Sequence, residues 1–177
     1  MAEANKPFNS FGSRSPSLYL IDFRKIPPFG TGSIIRVCKA EDFEGIVALL
    51  GQLWPGKPLD PVALRRVYDR TLASDHQMYL CAASARRVVG FGSLTLKSNL
   101  WSEALVGFVD EMVVDRAHQG QGIGTQILDQ LTAWARKRGC NRIELDSAFH
   151  RKEAHAFYEH RGFQSRAYLY SKLLRGG

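Results

Sequence analysis

Cysteine is scarce in this chain, and long apolar runs are missing altogether. The three cysteines (Cys38, Cys81 and Cys140) are scattered, odd in number and without the paired spacing of a zinc or iron–sulfur site. A disulfide framework is therefore excluded, and free, mostly buried thiols in a reducing, cytoplasmic compartment are expected. Nothing local offers any of them the partnered base that a catalytic cysteine needs. No apolar stretch approaches the ~18 residues that a membrane helix requires, so no membrane partner is expected. The first 33 residues lack a basic start and an apolar core of secretory type, which argues against a signal segment. Internal repeats are absent, and 177 residues suit one domain with a full core.

Acidic residues are sparse in the last third. Residues 116–177 hold 11 Lys/Arg against 5 Asp/Glu, which accounts for most of the net charge of +7. A basic region of this kind suits nucleic acid. Two features argue for the other reading, in which no nucleic acid is bound. Arg136-Lys137-Arg138 falls at the carboxyl end of a helical pattern, where cations are favoured. The basic residues also lack the interleaved exposed aromatics on which bases stack.

Residues 1–33 are punctuated by Asn, Ser, Gly and Pro, with one strand-like run at 17–21. They read as an N-terminal extension, either flexible or an arm docking on a partner subunit; being Ser-bearing and poor in acids, they also leave an organelle-transit reading open. Residues 34–177 form the domain. A strand is expected over 34–38 and a helix over 41–53, broken by Trp54-Pro55-Gly56-Lys57-Pro58. Asp60-Pro61 then reads as the cap and first residue of a helix to about 73. Strands follow at 77–84, 87–97 and 104–114, a long helix to 138, a strand at 141–145 and a helix at 151–161. A last strand is expected at 167–174, where Tyr168 and Tyr170 alternate. The order is β-α-α-β-β-β-α-β-α-β, a mixed α/β fold.

The most informative stretch is Gln119-Gly120-Gln121-Gly122-Ile123-Gly124. A strand-like run, Phe108 to Val114, precedes it. After it, Ile123, Ile127, Leu128, Leu131 and Trp134 recur at helical spacing. A glycine loop feeding a helix N-terminus turns several unpaired backbone N–H groups toward one spot, where the helix dipole adds positive charge; a phosphate or pyrophosphate suits it. A P-loop is ruled out, since no lysine lies between Lys97 and Lys137. A dinucleotide fingerprint wants GxGxxG, and here the third glycine comes one residue early, although Asp146 stands about where a ribose-binding acid would.

The remaining pattern, Gln/Arg-x-x-Gly-x-Gly/Ala on Gln119, Gly122 and Gly124, resembles motif A of the GCN5-related N-acetyltransferase (GNAT) superfamily. Downstream, Ala154-His155-Ala156-Phe157-Tyr158-Glu159-His160-Arg161-Gly162-Phe163 resembles the superfamily's motif B, A-x-x-F-Y-x-x-x-G-F. Its spacing places Ala154, Phe157, Tyr158 and Arg161 on one helical face, ended by Gly162. Ile34-Ile35-Arg36-Val37 and the helix after it resemble the superfamily's first strand and helix, so the resemblance covers about 34–174. Where many members carry Asn, three residues before the motif B alanine, this chain has Arg151, more like the aminoalkylphosphonate N-acetyltransferase branch.

The resemblance implies a mostly antiparallel twisted sheet flanked by helices, and acetyl transfer from acetyl-CoA to a primary amine by direct attack in a ternary complex. It places Met112, Val113 and Val114 beside the pantetheine arm, with an oxyanion donor among their backbone groups. The pyrophosphate falls on the backbone of Gln119, Gly120, Gln121, Gly122, Ile123, Gly124 and Thr125. A side chain at Gly122 or Gly124 is expected to block close approach or a needed positive φ. Of the two strand acids Asp110 and Glu111, strict alternation aims only one at the substrate. The resemblance favours Glu111 as general base, a solvated or ion-paired strand acid being the alternative. Tyr158 is the candidate acid toward the departing thiolate, a core ring the alternative.

No metal is expected. His150, His155 and His160 are five residues apart, and each such step turns a helix by about 500°, so successive rings diverge by roughly 140°. Trp54, Trp101 and Tyr68 are candidates for the acceptor pocket or for plain core packing. A small-molecule amine is the expected acceptor, with a protein acceptor or a non-catalytic acyl-CoA-binding module as alternatives. The chain is expected to be a monomer or homodimer.

Overall fold

A computed structural model describes residues 32–85 and 87–174. The strand-like run at 17–21, and with it almost all of the N-terminal extension, lies outside the described residues. Five strands form one sheet in the order β1 (Ile34–Val37), β2 (Gln77–Ser84), β3 (Arg87–Asn99), β4 (Ala104–Val114), β5 (Cys140–Leu145). The first four are antiparallel neighbours, and β5 joins β4 in parallel. Helices α1 (Phe43–Leu53) and α2 (Pro61–Leu72) cover one face, α3 (Ile123–Lys137) the other, and α4 (Lys152–Glu159) follows β5. No described helix is long and apolar enough to cross a membrane.

Local chemistry explains the helix boundaries. The Asp60 carboxylate accepts from the N–H groups of Val62 and Ala63 at 2.9 and 3.1 Å, and Pro61 supplies a first residue that needs no donor. Gly162 ends the turn after α4 at φ +82°. Along α3, Ile123, Ile127, Leu128, Leu131 and Trp134 are buried, as their spacing predicts, and Ala135 joins them. At about 1.5–3 kcal/mol per fully buried side chain, that face contributes on the order of 10 kcal/mol of hydrophobic stabilisation. Gly92 lets α3 close on β3: a Cβ there would stand 2.4 Å from Ile127 Cγ2.

Two cores result, one on each face. Leu80, Leu94, Leu96 and Val109 pack with α3; Cys81, Phe91 and Val113 pack with α1 and Tyr68. Val109 and Val113 are four apart and should share a face, yet they pack on opposite sides. The register shows why. Gly92 pairs with Met112 and Leu94 with Val109, so Ser93 alone opposes both Asp110 and Glu111. This β-bulge shifts the alternation by one residue.

One expected element is absent. Residues 163–174 carry no strand, and β5 is the last strand among the described residues. Alternating side chains supply two faces, but a strand also needs a ladder. Here the contacts come from side chains, with Arg166 reaching Glu144 at 3.4 Å and the Tyr168 ring meeting that of Phe149, while all of Tyr168, Tyr170, Leu173 and Leu174 stay exposed. The order is thus β-α-α-β-β-β-α-β-α.

Candidate active site

The sheet forks where β4 and β5 part. Their parallel ladder runs from Leu105↔Cys140 to Val109↔Leu145, after which β5 stops and β4 continues to Val114. From Asp110 onward, β4 has β3 on one side (Met112↔Gly92, Val113↔Phe91, Val114↔Gly90) and, among the described residues, no strand on the other. Met112, Val113 and Val114 therefore present an open backbone edge inside the domain, able to pair with an extended amide-bearing chain.

That edge leads into the glycine loop. Asp115 starts a short 3-10 turn, Arg116–His118, and accepts from Ala117 N–H, from the His118 ring and from the Gln52 amide of α1, each at 3.0 Å. The amide of Gln52, then His118, hold its carboxyl at about 2, below the usual range. The Gln119 side chain donates back to Val114 O at 3.1 Å, closing the loop on its own strand. Gly120 and Gly122 have φ of +74° and +78°, and Gly122 caps α3. The first N–H groups of α3 have no intrahelical acceptor and face outward from this exposed loop, together with the positive end of its dipole.

Gly124 differs from the expectation. It lies within the helix without a positive φ, and a Cβ there would meet Val114 and Phe157 at an ordinary 3.6–3.8 Å. Its Cα faces the end of β4 and α4, and neither φ nor space requires a glycine there. Thr125, one residue on, receives a hydrogen bond from Arg161, whose guanidinium lies over the Phe157 ring at 4.8 Å.

The bulge also corrects the reading of the two strand acids. Because the alternation shifts between them, Asp110 and Glu111 both turn to the face of α1 and α2. Thr95 Oγ1 donates to Asp110 at 2.6 Å, and Ser93 Oγ donates to Glu111 Oε2; Ser93 and Thr95 are two apart on β3 and share that face. Burial raises both carboxyls above their ordinary range, most directly for Glu111 inside the fork. For Glu111 the Ser93 hydrogen bond and Lys57 oppose the shift, while Asp110 and Asp146 add to it. Burial pushes the Tyr158 hydroxyl up to about 12, with Arg151 acting against it and Asp146 with it. The Tyr158 ring packs edge-on against Phe157 and Phe163.

Asp146 is therefore a common neighbour of Asp110, Glu111 and Tyr158, a role its ribose-like spacing did not suggest. Its position carries the signal: it is the first residue past the carboxyl end of a parallel strand, where α/β sheets place their ligands. Arg151 donates to Leu53 O at 2.5 Å, tying the start of α4 to the end of α1. Nearby Trp54 carries Lys57 Nζ over its ring at 4.5 Å. The other two pocket candidates lie elsewhere. Tyr68 is buried in the α1 core with its hydroxyl on Lys39 O at 2.7 Å, and Trp101 sits at the β3–β4 turn between Arg142 and Arg166.

His155 and His160 spend ring nitrogens on the carbonyls of Ala148 and Ala156. Among the described residues, the cluster compact enough for a metal is Cys38, Asp42 and Cys81, with ligand atoms within 4.8 Å of one another. Strand pairing, not sequence spacing, brings these cysteines together. Arg36 already grips both Asp42 oxygens, at 2.6 and 2.7 Å, so the cluster is a buried ion pair flanked by thiols.

A family model described as Acetyltransferase (GNAT) family matches residues 34–163. A glucosamine 6-phosphate N-acetyltransferase of Trypanosoma brucei brucei is 30% identical over 133 residues, covering 74% of this chain and 88% of its own. An aminoalkylphosphonate N-acetyltransferase of Salmonella typhimurium is 30% identical over 140 residues, covering 79% and 90%. Among solved structures, a Trypanosoma brucei acetyltransferase superposes with a TM-score of 0.68 at 26% identity, over 80% of this chain and 99% of that one.

Proposed function

The chain belongs to the GNAT family of acetyltransferases and is an acetyl-CoA-dependent N-acetyltransferase; from that premise we propose that it acetylates a primary amine on a small molecule, by direct attack within a ternary complex. The observation that carries the reading is the fork itself. An open β4 edge runs from a half-buried carboxylate to the N-terminus of α3, and all three features serve one substrate pair. The relatives named above act on small amines, which supports a small acceptor.

Acetyl-CoA supplies the thioester whose carbonyl carbon the amine attacks. Backbone groups of Met112, Val113 and Val114 align the pantetheine arm and offer a donor to the carbonyl oxygen as charge develops on it. The loop Gln119–Thr125 holds the pyrophosphate on its N–H groups. An alkylamine is mostly protonated at pH 7; Glu111 takes that proton, the freed lone pair forms the N–C bond as the C–S bond breaks, and the second proton lost from nitrogen passes to solvent. Tyr158, with its proton firmly held near neutrality, gives it to the departing sulfur. Solvent exchange then restores both side chains.

Binding is tested first. A thermal shift with acetyl-CoA at ~100 Kd should reflect about 2.7 kcal/mol, a rise of roughly 5–10 °C for a chain this size, with none from NAD or duplex DNA. A rise with either control instead would overturn the loop assignment. Tyr158→Phe keeps the ring packing and removes only the hydroxyl; kcat should fall about 100-fold with little change in acetyl-CoA affinity. An unchanged kcat would remove Tyr158 from the chemistry.

A further inference from the structure

Ser93 is wholly buried and stands opposite the two-residue bulge of β4. Its hydroxyl makes two bonds to one residue: Oγ accepts the Glu111 N–H at 2.9 Å and donates its single proton to the Glu111 carboxylate. The first bond satisfies the amide that the bulge takes out of the β3–β4 ladder. The second fixes a side chain with three rotatable bonds. Both depend on a hydroxyl on the face that Asp110 and Glu111 share.

We propose that Ser93 is a positioning residue, locking the Glu111 carboxylate in the orientation from which it takes the amine's proton. The inference rests on Glu111 being the base. Alanine fits the space but removes both bonds at once. The half-buried Glu111 N–H then loses its acceptor, and the carboxylate swings among rotamers of which few face the amine. The charged carboxylate also loses a donor, so its proton is released at higher pH. The groups that face Glu111 are Asp110 on its own strand, Tyr79 from β2, Lys57 from the α1–α2 connection and Asp146 past β5. Only Lys57 among them favours the charged form, so the Ser93 bond has little substitute.

The test is a double-mutant cycle in amine acetylation, read as kcat/KM against pH with acetyl-CoA binding and melting as folding controls. Ser93→Ala should lower kcat/KM for the amine about 10- to 100-fold and move the acidic limb up by about one pH unit. In a Glu111→Gln background the same substitution should cost almost nothing further, because it acts only through Glu111. An equal loss in both backgrounds makes Ser93 merely structural, and no loss in the wild type removes it from the reaction; either result overturns the proposal. If Ser93→Ala does not fold, Ser93→Cys keeps the shape with a weak donor, and the same comparison applies. A Glu111→Gln enzyme as active as the wild type would instead sink the base reading, and this inference with it.

Discussion

Replacing Gly122 with valine is expected to leave a folded protein that no longer binds acetyl-CoA. Gly122 sits at φ +78°, a region that β-branched residues scarcely enter, while no atom stands within 4 Å of where its Cβ would point. The cost is thus conformational, about 1–3 kcal/mol against a typical stability of 5–15 kcal/mol, so the chain still folds. Binding suffers in either of two ways. If the loop keeps its shape, the isopropyl group points outward from it, into the approach of the phosphates. If valine relaxes to negative φ, the N–H groups of the loop turn away from the pyrophosphate. Losing two charge-assisted hydrogen bonds at about 1.5–3 kcal/mol each weakens affinity by roughly 10²- to 10⁴-fold. Isothermal titration should show no measurable heat, with a melting point lowered by about 2–12 °C. Gly124→Ala is the control, since it has an ordinary φ and room for a methyl; it should melt at or slightly above the wild type, as alanine suits a helix better than glycine. Wild-type affinity in Gly122→Val would mean that the pyrophosphate lies elsewhere.

What was legible in the sequence was local. The apolar spacing of α3, the Asp60-Pro61 start of α2, the Gly162 stop and the loop between strand and helix each depend on neighbours a few residues apart. The site was only partly so. That Glu111 and Tyr158 both stand at the fork follows from motifs, but the posture of the acids does not. Period-two alternation forces a choice between Asp110 and Glu111, and a single residue of β3, some 18 positions earlier, cancels that choice by opening a bulge. Asp146 and Gln52 were missed for the same reason, because each gains its role from a partner on another element. The last expected strand fails in the opposite sense: alternating tyrosines suggest a strand, yet they supply only faces, and no backbone neighbour meets them among the described residues.

Glu111→Gln should lose activity in a way that pH repairs. At pH 7 the loss is expected to be about 10²- to 10⁴-fold, the range of a general base. An alkylamine ionises near 10.4, so each pH unit above 7 supplies about tenfold more free nucleophile without help. The gap between variant and wild type should therefore narrow about tenfold per unit and nearly close by pH 10. A loss that stays constant with pH would falsify the base role and leave Glu111 a structural acid. Stability separates the two further. Burial raises the Glu111 carboxyl, so the folded state favours its neutral form. That contribution is fully present below the ordinary carboxylate range near 4.3, and it is lost as pH rises through the higher folded value, where the charged group is buried at a cost. Glutamine carries no such charge and can still accept from Ser93. At pH 7 to 8 the variant should melt at or above the wild-type temperature while turning over far more slowly, the pair of results expected of a half-buried carboxylate that serves as the base at some expense to the fold.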